Sequence, residues 1–131
     1  MTYYSLIYPF LIYAIPIWGG SNSTYLQTIL VIQKKVIIEV GPLIHSAPLF
    51  KELGILTVND IFQLQTAKFV HDCINLKCPS QFHNYFLYPT TTYNTHDIRN
   101  LNLKVPKART KTYGLNSVKN KGVHIWNLSL I

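Results

Sequence analysis

Acidic residues are scarce in this chain, and its first 33 residues carry no charged side chain of either sign. The five acids, Glu39, Glu52, Asp60, Asp72 and Asp97, stand apart in sequence. None forms an adjacent pair of the kind that holds two metal ions. There is no Gly-rich loop to cradle a phosphate and no Gly-x-Ser-x-Gly elbow to present a nucleophile. Cysteine is nearly absent. Cys73 and Cys78 make no disulfide framework, and so few thiols suit a reducing compartment. His45, His96 and His124 are scattered, and His71 lies two residues from Cys73, a helical spacing that points the two apart. These absences argue against an enzyme with a catalytic centre of its own, a resident cofactor or a small-molecule substrate.

What is present is apolar and basic. Apolar residues make up 48% of 131, enough for one folded domain with a real core. The net charge of +7 is unevenly placed. Residues 34–97 hold five basic and five acidic side chains, whereas residues 98–131 hold Arg99, Lys104, Lys107, Arg109, Lys111, Lys119 and Lys121 with no acid. A polyanion is the partner such a stretch would select. An ordinary solvated basic tail is the alternative reading.

Residues 3–18, YYSLIYPFLIYAIPIW, form the longest apolar run. A spanning helix needs about 20 such residues, and this run contains Pro9 and Pro16 and stops at Gly19-Gly20. A signal peptide would carry a basic start, but the first cation is Lys34. The run is read as buried helix, with membrane contact as the alternative. So apolar a start needs a covering layer, either a preceding segment or a docked partner.

Further along, Leu26, Ile29, Leu30, Gln33, Val36, Ile37 and Val40 recur at helical spacing, and Lys34 and Lys35 fall off that stripe. Gly41-Pro42 is the expected stop. Ser46-Ala47-Pro48 opens a short helix that buries Leu49, Phe50 and Leu53 and ends at Gly54. Thr57 to Asp60 resembles a capping box for a longer, central helix carrying Ile61, Phe62, Leu64, Ala67, Phe69, Val70, Cys73, Ile74 and Leu76, with Pro79 beyond it. Ser80–Phe86 is predicted as one more short helix and residues 89–97 as a loop. Alternation over 101–105 predicts a strand, and 112–118 a second, with Pro106 between them. The apolar cluster from Val123 to Leu128 is expected to pack back on the helices.

His71, Cys73, Cys78 and His83 carry zinc-ligand chemistry within thirteen residues. Their spacing crosses an expected helix end, and Cys73 fits the buried stripe. A buried thiol with surface histidines is therefore the preferred reading, and no metal is assigned. In the basic stretch, the cations are interleaved with Tyr93, Tyr113 and Trp126. Cations neutralise phosphates while aromatic faces stack on bases. Core packing is the competing role for both Tyr113 and Trp126, and the preferred one for Trp126.

Several segments taken in order resemble the C-terminal region of non-LTR (LINE, jockey-like) retrotransposon reverse transcriptases. They are Tyr4 to Tyr13 followed by Ile17-Trp18-Gly19; Leu30 to Ile37 with its Gln33-Lys34-Lys35; Pro48 to Leu56 with Asp60-Ile61-Phe62; Pro79 to Phe82; Tyr93 to His96 with Arg99; and Lys121-Gly122 with Ile125 to Leu128. The resemblance spans nearly the whole chain. It departs where Ile38 and Glu39 stand near a position the family commonly fills with Arg, where His96 takes an Arg position with Arg99 displaced, and in the ending Leu128-Ser129-Leu130. The family's Tyr-x-Asp-Asp palm motif is absent from these residues.

The resemblance implies the end of the thumb plus the C-terminal domain of an RNA-directed DNA polymerase, without polymerase activity. It further implies template RNA or target DNA as partner, a nuclear or cytoplasmic setting, and the palm and thumb as a second partner through residues 3–18. A small membrane-associated protein and a translated relic without function are the alternatives. The expected fold is mainly α, four to five helices in a small bundle with a short C-terminal β-hairpin or extended segment. The expected division is a helical region, 1–88, and a basic extended region, 89–131. The nucleic-acid-binding candidates are Lys34, Lys35, Arg99, Lys104, Lys107, Arg109, Lys111, Lys119 and Lys121.

Overall fold

The computed structural model describes residues 3–37, 46–88 and 102–129. It is mainly helical, and among the described residues there is no strand. A π-helical turn, Tyr3–Ile7, leads into helices α1 (Tyr8–Ile12), α2 (Ile15–Trp18), α3 (Ser23–Ile37), α4 (Ser46–Glu52) and α5 (Val58–Ile74). A short 3-10 turn, Ser80–Phe82, a second π-helical turn, Lys111–Leu115, and helix α6 (Val118–Ser129) complete it. The chain divides into two compact units, one ending at Gln65 and the other beginning at Thr66. That division falls inside α5, upstream of residue 88, where the helical region was expected to give way to the basic extended one.

In the first unit, residues 3–18 are not one buried helix. The chain breaks at Tyr13, which is extended, and at Ala14, which is left-handed with φ 49°. Pro9 sits in the first turn of α1 and Pro16 in the first turn of α2, where a missing N–H leaves no bond unmade. Trp18 Nε1 donates to the Tyr13 carbonyl at 2.6 Å and closes the break. Only one side of the run is covered. Tyr3 packs with Phe50 and Ile55, and Ile15 with Val58 and Ile61. Leu6, Phe10, Tyr13 and Ile17 are exposed, Phe10 and Tyr13 to 79% each. No helix among the described residues is long and apolar enough to cross a membrane.

A buried amide joins the elements of this unit. Gln33, on the apolar stripe of α3, is 1% exposed. Its Nε2 donates to Tyr3 Oη and to the Leu56 carbonyl, both at 2.8 Å, and its Oε1 accepts from the Val58 N–H at 2.9 Å. That N–H opens α5 and has no partner within the helix, so a side chain 25 residues away supplies one. Burial holds the Tyr3 hydroxyl above its ordinary pKa, partly offset by the Gln33 bond. The expected capping box is present. Thr57 Oγ1 accepts from the Asp60 N–H at 3.3 Å, and the Thr57 N–H and hydroxyl donate to Asp60 Oδ2 at 3.4 and 2.7 Å.

Two helices end in the same motif on different residues. After α4, Gly54 is left-handed (φ 64°), with Gly54 N–H donating to Lys51 O and Ile55 N–H to Phe50 O. After α5, Leu76 takes that place (φ 56°), with Leu76 N–H donating to Cys73 O and Lys77 N–H to Asp72 O. Both are Schellman ends. The second one ends α5 at Ile74, before Pro79 is reached.

The second unit is built on Val70, Cys73, Phe86, Leu103 and Val123, with Phe69, Phe82, Tyr85 and Trp126 packed around them. Full burial of a valine or leucine side chain contributes about 1.5–3 kcal/mol, so α6 is held mainly by Val123 and its neighbours. Gly122 lets α6 approach closely: a Cβ there would lie 2.9 Å from Val70 and 3.2 Å from the Phe86 ring. Beyond the 3-10 turn, residues 83–86 form turns rather than continuing the predicted helix, yet they still bury Phe86.

The predicted β-hairpin is not formed. Residues 102–110 have no regular secondary structure, and 111–115 coil into a π-helical turn. The physical reason lies in where the backbone bonds go. Leu103 N–H donates to Asn127 Oδ1 at 2.8 Å, and Asn127 Nδ2 donates to Leu103 O at 3.1 Å. A helix side chain thus takes the place of a partner strand. The buried half of the predicted alternation survives in Leu103, while Lys104 and Val105 are both exposed.

Candidate nucleic-acid interface

The basic stretch is anchored along α6. Asn127 clamps Leu103, and Asn120 Nδ2 donates to the Pro106 carbonyl at 3.3 Å. From Leu103 to Pro106, three extended residues cover about 10 Å. From Asn127 back to Asn120, seven helical residues cover about 10.5 Å. The lengths match, so the strip runs lengthwise and antiparallel to α6. Two asparagines seven residues apart on one helical face act as its clamps. Their seven-residue spacing, about two helical turns, was the available signal in the sequence, and the charge pattern overshadowed it.

Beyond Pro106 the chain closes on itself. Gly114 lies so near Ala108 that a Cβ at Gly114 would come within 2.8 Å of the Ala108 Cβ. Leu115 N–H donates to Thr110 O at 3.0 Å and Asn116 N–H to Lys111 O at 2.9 Å. Ser117 Oγ donates to Gly114 O at 2.6 Å and accepts from the Asn120 N–H at 3.3 Å, capping α6. The first turn of α6 contains no acid, so the positive end of its dipole is uncompensated there.

The structure brings six of the nine candidate cations into this unit. Lys104, Lys107, Arg109 and Lys111 are exposed on the strip and the turn. Lys119 and Lys121 flank buried Asn120 and are half-buried. Lys119 Nζ stands 5.2 Å from the centre of the Tyr85 ring, a cation–π contact that fixes its position. Lys34 and Lys35 belong to the first unit, in the last turn of α3, where the helix dipole favours cations. Lys34 is half-buried and Lys35 exposed. Arg99 lies outside the described residues, as do Ile38, Glu39, Tyr93 and His96.

No described Lys or Arg is paired with a carboxylate; the contact of this kind among the described residues is between His71 Nδ1 and Asp72 Oδ1, 3.4 Å apart. Counted over the full sequence, the part from residue 66 onward holds nine basic and two acidic residues, and the part before it three of each. Lys68 and Lys77, both exposed, add to the second count. The charge pattern alone had set them within a neutral block.

The two aromatic candidates separate. Trp126 is packed on the core, its ring centre 6.4 Å from that of His71. Tyr113 is 88% exposed.

The zinc-type residues are engaged elsewhere. Cys73 is buried, and burial, reinforced by the neighbouring Cys78 thiol, pushes its pKa up to about 12. A protonated thiol is a poor nucleophile and a poor ligand. His83 Nε2 donates to the Cys78 carbonyl at 3.0 Å. Among the described residues no three His, Cys, Asp or Glu side chains converge. Comparison of the chain with protein families, with curated proteins and with solved structures finds no match.

Proposed function

We propose that this chain is a non-catalytic, nucleic-acid-binding C-terminal portion of a non-LTR retrotransposon RNA-directed DNA polymerase. The observation that carries the binding reading is the strip itself. Of four exposed cations without carboxylate partners, Lys104 stands between two points at which the backbone is clamped to α6, and Lys107, Arg109 and Lys111 stand on the continuation that leads into the closed turn. Anchored cations lose less freedom on meeting phosphates than those of a free tail. The family reading rests on the ordered resemblance. In its favour, several residues that carry the resemblance also have definite structural roles: Gln33 in the buried amide network, Gly54 at a helix end, Asn127 at the clamp.

The test is binding of the purified chain to RNA and DNA across a salt series. Contact with several phosphates gives an affinity that falls steeply with salt. Replacing Lys104, Lys107, Arg109 and Lys111 by Gln should abolish most of that dependence, and a variant that binds as the parent does would refute the assignment.

A second reading concerns residues 3–18. The exposed row Leu6, Phe10, Tyr13 and Ile17 favours a docking face for the palm and thumb of the parent polymerase. Partition of the chain into liposomes, lost on placing a charge at Phe10 or Ile17, would instead favour the membrane-associated alternative.

A further inference from the structure

We infer that Tyr113 makes the strip a site for single-stranded rather than duplex nucleic acid, with its ring as a stacking platform for an unpaired base. The inference rests on the nucleic-acid reading above and names the substrate class. Tyr113 is the most exposed large hydrophobic side chain among the described residues of the second unit. Among the described residues its ring makes no aromatic contact, whereas Tyr85, Phe82, Phe86 and Phe69 pack edge to face with one another.

The backbone beneath it is firmly held. The turn Lys111–Leu115 is closed by the bonds to Thr110 and Lys111 carbonyls, seated against Ala108 and joined to the cap of α6. A held backbone that offers a bare aromatic face to water is a surface prepared for a flat apolar partner.

Charge decides which partner. Arg109 and Lys111 precede Tyr113 by four and two residues, and both are exposed. The centres of protein–protein interfaces are depleted in lysine, whereas alternating cations and aromatic rings follow a single strand, phosphates on the cations and bases on the rings. Within a duplex both faces of every internal base are already stacked, so away from the ends an exposed tyrosine ring has nothing to cover. The strip would then bind a duplex through phosphates alone.

The experiment titrates the full chain with a fluorescent single-stranded RNA of about 12 nucleotides, within the usual span of such sites, and with a blunt duplex of the same sequence. Tyr113→Ala should weaken single-strand binding by about tenfold, since one lost stacked base accounts for that much, and leave duplex binding unchanged. Tyr113→Trp should restore the loss. The side chain is exposed, so helicity by circular dichroism should match the parent.

An unchanged single-strand affinity in Tyr113→Ala, or equal losses for both nucleic acids, overturns the inference while leaving the binding reading intact, provided the four-cation variant still weakens both. Absence of binding to either nucleic acid, or a four-cation variant that binds as the parent does, removes the binding reading itself.

Discussion

The two units of this chain solve opposite problems. The first, up to Gln65, has as many acids as bases and leaves a row of apolar side chains in water. Its polar capacity is turned inward, with one amide, Gln33, bonding three partners in a buried site. The second, from Thr66, packs Phe69, Phe82, Tyr85, Phe86 and Trp126 at its core, leaves Tyr113 bare and carries exposed cations on its strip and turn. Its key amides, Asn120 and Asn127, hold a strip of backbone against a helix. The same chemical group welds a core in one unit and mounts a charged surface in the other. Breaking the amides should therefore cost stability in the first unit and binding in the second.

Gln33→Leu should have the largest effect on stability. It keeps the bulk but leaves the Leu56 carbonyl and the Val58 N–H buried without partners, at about 3 kcal/mol in total. Urea denaturation measures the loss, and nucleic-acid affinity below the transition should stay as in the parent. Asn127→Ala should cost less, about 2 kcal/mol, because Leu103 loses two bonds that water can partly replace. Here affinity should fall as well, because the strip is no longer held at that end. A variant that loses stability but keeps full affinity would show that the clamp plays no part in binding.

Alkaline pH probes both cores at once. Cys73 has its pKa raised from 9.0 to about 12 by burial, and Tyr3 is also raised from 10.0. In each case the folded state holds its proton more tightly than the unfolded state. The stability is fully present below the unfolded value and is lost as pH rises toward the folded one. Urea midpoints should therefore decline from about pH 9 toward 12. Cys73→Ala should flatten the lower part of that decline, leaving the Tyr3 contribution above pH 10. The smallest change expected is a gain. Leu76 holds a left-handed conformation that costs a side-chain-bearing residue roughly 1–2 kcal/mol, and it is exposed, so Leu76→Gly should raise stability by about 1 kcal/mol.

Local signals read true in the sequence where their partners were close by. The Thr57–Asp60 cap, the stop at Gly54, the helix start at Ser46 and the stripe of α3 all depend on residues within a few positions. Gln33 was placed correctly on that stripe, but its role depends on Tyr3 and Leu56, 30 and 23 residues away, and no spacing rule reaches them. The hairpin failed for the same reason. Residues 101–105 alternate as a strand does, yet the partner of Leu103 is an asparagine on a helix 24 residues on. The prolines of residues 3–18 were counted only against a membrane-spanning helix, and the run was read as one buried helix, whereas they start two. The sequence also has no glycine at position 76 to mark the left-handed end of α5. As for the site, the cations were legible by type and position, while the exposure of Tyr113 emerged only with the fold.

The central claim is that binding belongs to the anchored strip and not to basic charge in general. The salt dependence of RNA affinity for two charge variants tests it most directly. Replacing Lys104, Lys107, Arg109 and Lys111 by Gln should lower affinity on the order of 100-fold at about 0.1 M salt and reduce the slope of log affinity against log salt by about 3. Replacing Lys34 and Lys35 by Gln should change neither by more than about a third of that. Equal losses per charge in the two variants, or an unchanged slope in the first, would contradict the account.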